Sequence, residues 1–287
     1  MCFILNLNSM TTEYSDKRTQ YSPSNKWGSI WITGASSGIG EACAYLFATE
    51  GAKLILTATR EKQLEKVRDK CMELGAEKCE ILPCDLSEID KLDAVADKAL
   101  SFFGKIDVLF LNAGISQRAK TIDTDFSVDK KIMDVNFFAP VKITKRLLPK
   151  MIENGGGTIA VTTSISGRFG FPLRSAYASS KFALYGFFET VHAEYYNDNI
   201  RVVMVCPGRV KTNISYNALE ADGTKHAQMD DGQAGGISAE KAAKKIVKAI
   251  RKQKPEVLVG GIELLMVYIK RFLPGLSRTL VRKVKAT

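Results

Sequence analysis

Three side chains in this sequence can together move a proton at a carbonyl oxygen. Tyr177 and Lys181 stand four residues apart, and Ser164 lies 13 residues before Tyr177. Residues i and i+4 share a helix face, so the Lys181 ammonium can sit beside the Tyr177 phenol. A free phenol has a pKa of roughly 10 and holds its proton too tightly for exchange near neutral pH. A neighbouring cation favours phenolate and lowers that value. Lys181 keeps further donors for a ribose hydroxyl, and the Ser164 hydroxyl can bond the same carbonyl oxygen that Tyr177 protonates. Chance alone supplies about one Tyr-x-x-x-Lys pair in a chain of this composition, so the pair by itself means little. Its weight comes from Ser164, which follows the apolar run 158–163, since strand carboxyl ends are where a doubly wound sheet presents its ligand site.

A second stretch reads Thr33-Gly-Ala-Ser-Ser-Gly-Ile-Gly40, between an apolar run and an amphipathic one. Gly34, Gly38 and Gly40 let the backbone turn tightly and approach a pyrophosphate, with Ser36, Ser37 and Ile39 completing the loop. The helix that follows supplies amide donors and a favourable dipole. Turns use glycine for steric reasons too, so it is the strand–loop–helix context that favours a dinucleotide site. At the end of the next apolar run, Thr59 stands where an acidic residue would select NAD, and Arg60 follows. A guanidinium suits a 2′-phosphate, and Ser36 can add a hydrogen bond, while Glu61 can simply pair with a neighbouring base. NADP(H) is the expected cofactor, with NAD(H) possible.

The elements that must hold these groups are apolar runs at 29–33, 53–59, 79–84, 107–111, 158–163, 201–205 and 256–259. Helix-like segments alternate with them at 40–50, 62–74, 89–103, 128–153, 178–196 and 239–253. Near-continuous Val/Ile/Leu strands between amphipathic helices indicate an α/β fold: a Rossmann-like, doubly wound, seven-stranded parallel sheet with helices on both faces. We expect a flexible extension at 1–26, one catalytic domain at 27–260 and a basic amphipathic tail at 261–287.

Composition narrows the classes further. Two histidines, His192 and His226, leave little room for a zinc site or a histidine-based triad, and no metal is expected. Six cysteines without a Cys-x-x-Cys pair fit reduced thiols in a cytoplasmic compartment. The net charge of +10 comes entirely from residues 201–287, where 17 basic residues face 7 acidic ones. Nucleic acid is not expected as a partner, because no aromatic platform or recognised motif accompanies the charge. Residues 260–273 interrupt apolar side chains with bases and lead into a polybasic end. That pattern suits a segment lying in an anionic membrane interface, or equally a helix packed on the domain or on a second subunit.

Thr33–Gly40, Asn112-Ala113-Gly114, Asn136, Ser164, Tyr177-x-x-x-Lys181 and Pro207-Gly208 resemble, in type and order, the motifs of the short-chain dehydrogenase/reductases. The resemblance covers roughly residues 28–212, with Leu111 in place of the family's usual preceding Asn. It implies a nicotinamide cofactor, a homodimer or homotetramer, and catalytic roles for Asn136, Ser164, Tyr177 and Lys181. By the same resemblance Asp85 and Leu86 meet adenine, Val210 and Thr212 meet the carboxamide, and Asn112, Ala113, Gly114, Pro207 and Gly208 line the cofactor. Asn136 falls inside the predicted helix 128–153, and Pro140 has no N–H for its carbonyl, which leaves that carbonyl for a water feeding protons toward Lys181.

The stretch 213–237 lacks periodicity and reads as a mobile lid. Residues 114–118, 174–177, 215–218, 221–223 and 273–276 are similar to a branch of the family that contains an acyl/alkyl-dihydroxyacetone-phosphate reductase. That likeness implies a lipophilic ketone, with Arg118 and Arg174 near an anionic headgroup or simply at the surface. A 3-oxoacyl thioester or hydroxysteroid is the alternative substrate, and a non-catalytic dinucleotide sensor the alternative of another class.

Overall fold

The computed structural model describes residues 27–284; the expected extension at 1–26 lies outside the described residues. Seven strands, β1 (Ser29–Thr33), β2 (Lys53–Thr57), β3 (Lys78–Ile81), β4 (Val108–Leu111), β5 (Gly157–Thr162), β6 (Ile200–Pro207) and β9 (Glu256–Val259), form one sheet. Its order is β3-β2-β1-β4-β5-β6-β9, and every neighbouring pair is parallel. The five inner strands are buried on both faces, which explains their near-continuous apolar runs, while the edge strands β3 and β9 stay partly exposed. The strand order reverses between β1 and β4, where a crevice opens at the strand carboxyl ends.

Helices α1 (Gly38–Ala48), α2 (Glu61–Glu73) and α8 (Ala239–Arg251) cover one face, around Phe47, Leu64 and Ile246. Helices α3 (Leu92–Phe103), α5 (Ala139–Glu153) and α6 (Ser175–Glu194) cover the other, around Trp31, Leu147 and Phe188. Trp31 is fully buried and its indole N–H donates to Thr57 Oγ1 at 2.9 Å, so the large ring leaves no polar atom unsatisfied.

The predicted single helix 128–153 is broken. It runs as α4 (Phe126–Met133), a π-turn at Asp134–Phe138, then α5. Pro140 cannot donate to the Asn136 carbonyl, and the wider turn accommodates both the missing hydrogen and the ring. Strands β2 and β3 stop at Thr57 and Ile81, short of the predicted 59 and 84, as the chain turns toward the crevice.

The remaining elements border that crevice. They are a two-stranded pair, β7 (Val210–Lys211) with β8 (Ile237–Ser238), the short α7 (Asp231–Ala234), and α9 (Leu265–Phe272) with α10 (Pro274–Val281). Met266, Val267 and Val281 pack on a small cluster of Ile165, Phe169 and Cys206, so the inner side of residues 262–284 is seated on the domain.

Candidate active site

A cavity of about 640 Å³ occupies the crevice. It lies within the size range of cofactor and ligand sites. The glycine loop forms one end. Gly34 and Gly38 have φ of +67° and +62°, a conformation that favours glycine. Ser37 precedes α1 without capping it by a side-chain hydrogen bond, so the first amides of that helix lack the partner a capped helix would have. Those donors fit a pyrophosphate.

Of the sequence-predicted cofactor residues, Gly34, Ser36, Ser37, Gly38, Ile39, Arg60, Asp85, Leu86, Asn112, Ala113, Gly114, Tyr177, Lys181, Pro207, Gly208, Val210 and Thr212 all line this cavity. Gly40 does not. A Cβ there would collide with the Gly34 carbonyl oxygen, so its part is to let α1 close against the loop. Arg60 reaches back to the Ser36 hydroxyl at 3.5 Å, which places a guanidinium and a hydroxyl together beside the end of β2. These residues fit a nicotinamide dinucleotide.

Thr33 and Asn112 hold this end together. Thr33 Oγ1 accepts from the amides of Asn112 and Ala113 at 3.0 and 3.1 Å. The Asn112 side-chain amide donates to the carbonyls of Thr33 and Gly34, and its oxygen accepts from the Thr162 hydroxyl. Leu111, at the departure from the family pattern, is buried in the core.

Ser164 ends the segment after β5, and Tyr177 is the third residue of α6, which begins earlier than the predicted 178. Both line the cavity, and Ser164 draws the phenol pKa downward. Burial pushes the Tyr177 pKa above its usual value, against the downward pull of Ser164, Arg174 and Arg118. Lys181 is not among the groups that lower it. Its buried ammonium donates to the Thr162 carbonyl at 2.8 Å, and burial alone brings its pKa down to about 7, so it is a weak cation near neutral pH. Desolvation disfavours the charged form that the sequence argument relied on.

Asn136 is fully buried and does not line the cavity. Its oxygen accepts from the Ile115 amide at 2.8 Å, and its nitrogen donates to the Ile115 carbonyl at 2.9 Å and the Ser180 hydroxyl at 3.0 Å. Its side chain therefore fixes the loop after β4 to α6. A side chain at Gly114 would crowd both Asn136 and the Lys181 ammonium.

The opposite end of the cavity differs from the expectation. Arg118 and Arg174 are not surface charges. Arg118 and Asp230 have side chains only 3% and 5% exposed, with Arg118 Nε 3.1 Å from both carboxylate oxygens. Arg118 also donates to Ser116 Oγ and the Gln117 carbonyl, Ser215 donates to Asp230 at 2.9 Å, and Arg174 pairs with Asp230 at 3.3 Å. Burial pushes the Asp230 carboxyl up, but the hydrogen bonds of Arg118 and Ser215 and the charge of Arg174 hold it below its ordinary value.

The stretch read as a mobile lid is tied down by this pair and by backbone bonds from Arg118 to Leu219, Leu219 to Ser116, and Asp125 to Ala221. It forms a wall through Ile214, Asn217, Leu219 and Gln233. Nothing in the sequence singles out Asp230 or Glu263, and Ser215 enters it only within the segment 215–218. Glu263 accepts from the amides of Arg209 and Gly261 at 2.7 and 3.0 Å, clamping the turn after Pro207-Gly208.

Comparison with known proteins agrees with this geometry. Residues 29–223 match the family model described as short chain dehydrogenase, and the chain belongs to that family of nicotinamide-dependent dehydrogenases and reductases. Among its relatives, Dehydrogenase/reductase SDR family member 7B of Mus musculus is 39% identical over 251 residues, covering 86% of this chain and 78% of the relative. A short chain dehydrogenase/reductase from Burkholderia phymatum, solved in complex with NAD, superposes with a TM-score of 0.77 at 25% identity, covering 88% of this chain and 95% of that one. An alcohol dehydrogenase from Thermococcus sibiricus, complexed with 5-hydroxy-NADP, gives 0.69 at 25% identity over 83% of this chain and 97% of its own. Among the described residues no helix is long and apolar enough to cross a membrane.

Proposed function

We propose that the chain is an NADP(H)-dependent oxidoreductase that interconverts a lipophilic ketone and its secondary alcohol. The observation that carries this is that Tyr177 and Ser164 line the same cavity as the glycine loop and Arg60. A bound nicotinamide supplies or accepts the hydride. Tyr177 keeps its proton at neutral pH, which is the form that can donate to a carbonyl oxygen as reduction proceeds. Ser164 bonds that oxygen, and the Arg174 and Arg118 charges favour the phenolate that remains.

Lys181 binds the nicotinamide ribose and passes protons to Tyr177, replenished by way of a water at the Asn136 carbonyl. Arg60 and Ser36 hold the 2′-phosphate, and Asp85 and Leu86 the adenine. Pro207, Gly208, Val210 and Thr212 bind the nicotinamide end. A homodimer or homotetramer is part of the proposal, as are one catalytic unit at 27–260 and contact of the basic segment 261–287 with an anionic membrane. The lipophilic substrate draws support from the resemblance and from Phe171, Ile214 and Leu219 on the cavity wall.

The test is a reductase assay of short polar and long-chain ketones with NADPH and NADH. Turnover of long-chain ketones with NADPH is expected, and its loss with retained cofactor binding in Tyr177→Phe. Efficient turnover confined to small water-soluble ketones overturns the lipophilic substrate, and a clear NADH preference overturns the cofactor choice. Cofactor binding without turnover of any ketone makes the chain a dinucleotide sensor.

A further inference from the structure

Helices α9 and α10 have two unlike sides. Met266, Val267 and Val281 point inward and pack on Ile165, Phe169 and Cys206. The outward side exposes Leu265, Tyr268, Phe272, Leu273 and Leu276, with Ile262 just before α9, at exposures from 47% to 78%. Positions 265, 268 and 272 recur at three- and four-residue spacing and so share one side of α9; Leu273 breaks the helix, and Leu276 adds an exposed apolar side chain on α10. Lys270, Arg271, Arg278, Arg282 and Lys283 accompany them, and no acidic residue occurs from 264 to 284. Immediately after α10, Val284 lines the active-site cavity, as does Phe171 of the cluster on which α9 sits.

We infer that the outer side of α9–α10 docks on an anionic lipid surface and brings the rim of the active-site cavity to that surface. An apolar patch accompanied by bases matches acyl chains beneath anionic headgroups. A second copy of the same face would set cations against cations across a two-fold axis, which disfavours self-pairing. The inference deepens the proposed function by naming the surface from which a lipophilic ketone would reach Tyr177, and rests on that reading for the substrate alone. Docking itself stands or falls on the surface.

The experiment is sedimentation of the full chain with vesicles of phosphatidylcholine alone and of phosphatidylcholine mixed with phosphatidylserine, at low and high salt. Wild type is expected to bind the anionic vesicles, less so at high salt. Phe272→Glu with Leu276→Glu is expected to reduce that binding by about tenfold or more, since each change removes an inserting side chain and adds a repelled one. Phe272→Ser serves as a milder variant, expected to fall between. NADPH-dependent turnover of a short soluble ketone and the thermal midpoint report folding, and neither is expected to change.

Wild-type protein that ignores anionic vesicles at low salt overturns the inference. So does binding that depends on salt but survives both substitutions, which would assign the patch to a general polyanion contact. A fall in oligomer mass in the variant, with no vesicle binding in wild type, would assign the patch to a subunit interface and overturns it equally. Vesicle binding without turnover of any ketone leaves docking intact and removes the reductase proposal, so the two failures are distinguishable.

Discussion

At one end of the cavity Asn112 and Thr33 hold the glycine loop through neutral hydrogen bonds carried on adjacent strands. At the other, Arg118 holds the 213–237 wall through a buried charge pair with Asp230, 112 residues away in sequence. The first arrangement follows from strand order and glycine placement, and needs no charge. The second concentrates opposite charges in a dry place, where the pair persists only while both partners are present. The glycine-loop end is thus fixed by the sheet, and the Arg118 end by a few side chains that sequence distance separates.

The sharpest way to break this comparison is at the junction of the two ends. Tyr177→Phe should lower ketone turnover by about 10²–10⁴-fold, because it deletes the proposed proton donor. Cofactor affinity, measured by quenching or enhancement of nicotinamide fluorescence, should stay within about threefold, since at most one hydrogen bond is lost. A large loss of cofactor binding would show that the two ends are not separable.

Next in size is the buried pair itself. Asp230→Asn leaves Arg118 and Arg174 without their carboxylate and should cost about 3–5 kcal/mol in chemical denaturation. The double change Arg118→Met with Asp230→Leu should recover part of that stability. In both, KM for the ketone should rise while cofactor affinity holds.

Lys181 gives a pH-resolved test. Its folded pKa of about 7 lies below the ordinary 10.5, so from pH 7 to 10.5 the unfolded chain binds more protons than the folded one. Stability from this group therefore rises with pH across that window, by at most about 1.4 kcal/mol per unit, and the burial penalty is complete below pH 7. Without cofactor, Lys181→Met should flatten the dependence and be more stable than wild type near pH 6. Thermal midpoints at stepped pH check the sign, and an unchanged slope would contradict the buried ammonium.

The smallest effect belongs to the cofactor end. Arg60→Ala should reduce the proposed preference for NADPH over NADH by about tenfold, the size of one charge-assisted contact. The substrate KM, measured with saturating cofactor, should not move.

The five inner strands could be read from the sequence because both faces of each are buried, which leaves near-continuous apolar runs; the edge strands β3 and β9 are partly exposed and carry a weaker signal. The glycine loop, Ser164, Tyr177 and Lys181 could be read because a strand end or a helix repeat sets their spacing. Pro140 announced a disturbance near Asn136, but whether the helix would kink or widen depends on packing against both the β4 loop and α6. Asp230 carried no local signal, since a carboxylate's partner across 112 residues is set by tertiary structure alone. The apolar periodicity of residues 265–276 was visible, yet sequence could not tell which side would meet Ile165 and Phe169.

The π-turn at Asp134–Phe138 acts as a phase adjuster between two helical rows. Downstream, α5 sends Ile143 and Leu147 into the main core; upstream, α4 sends Val128 and Ile132 against Ala176 and Leu219 beside the substrate wall. One residue of α-helix is about 100° of rotation. Forcing 134–138 into regular α-helix at unchanged length would turn α4 by about that angle relative to α5. Val128 and Ile132 would leave their contacts, and the wall through Leu219 would lose its backing without any change at Tyr177. The wide turn itself, as much as the composition of this segment, is therefore under structural constraint.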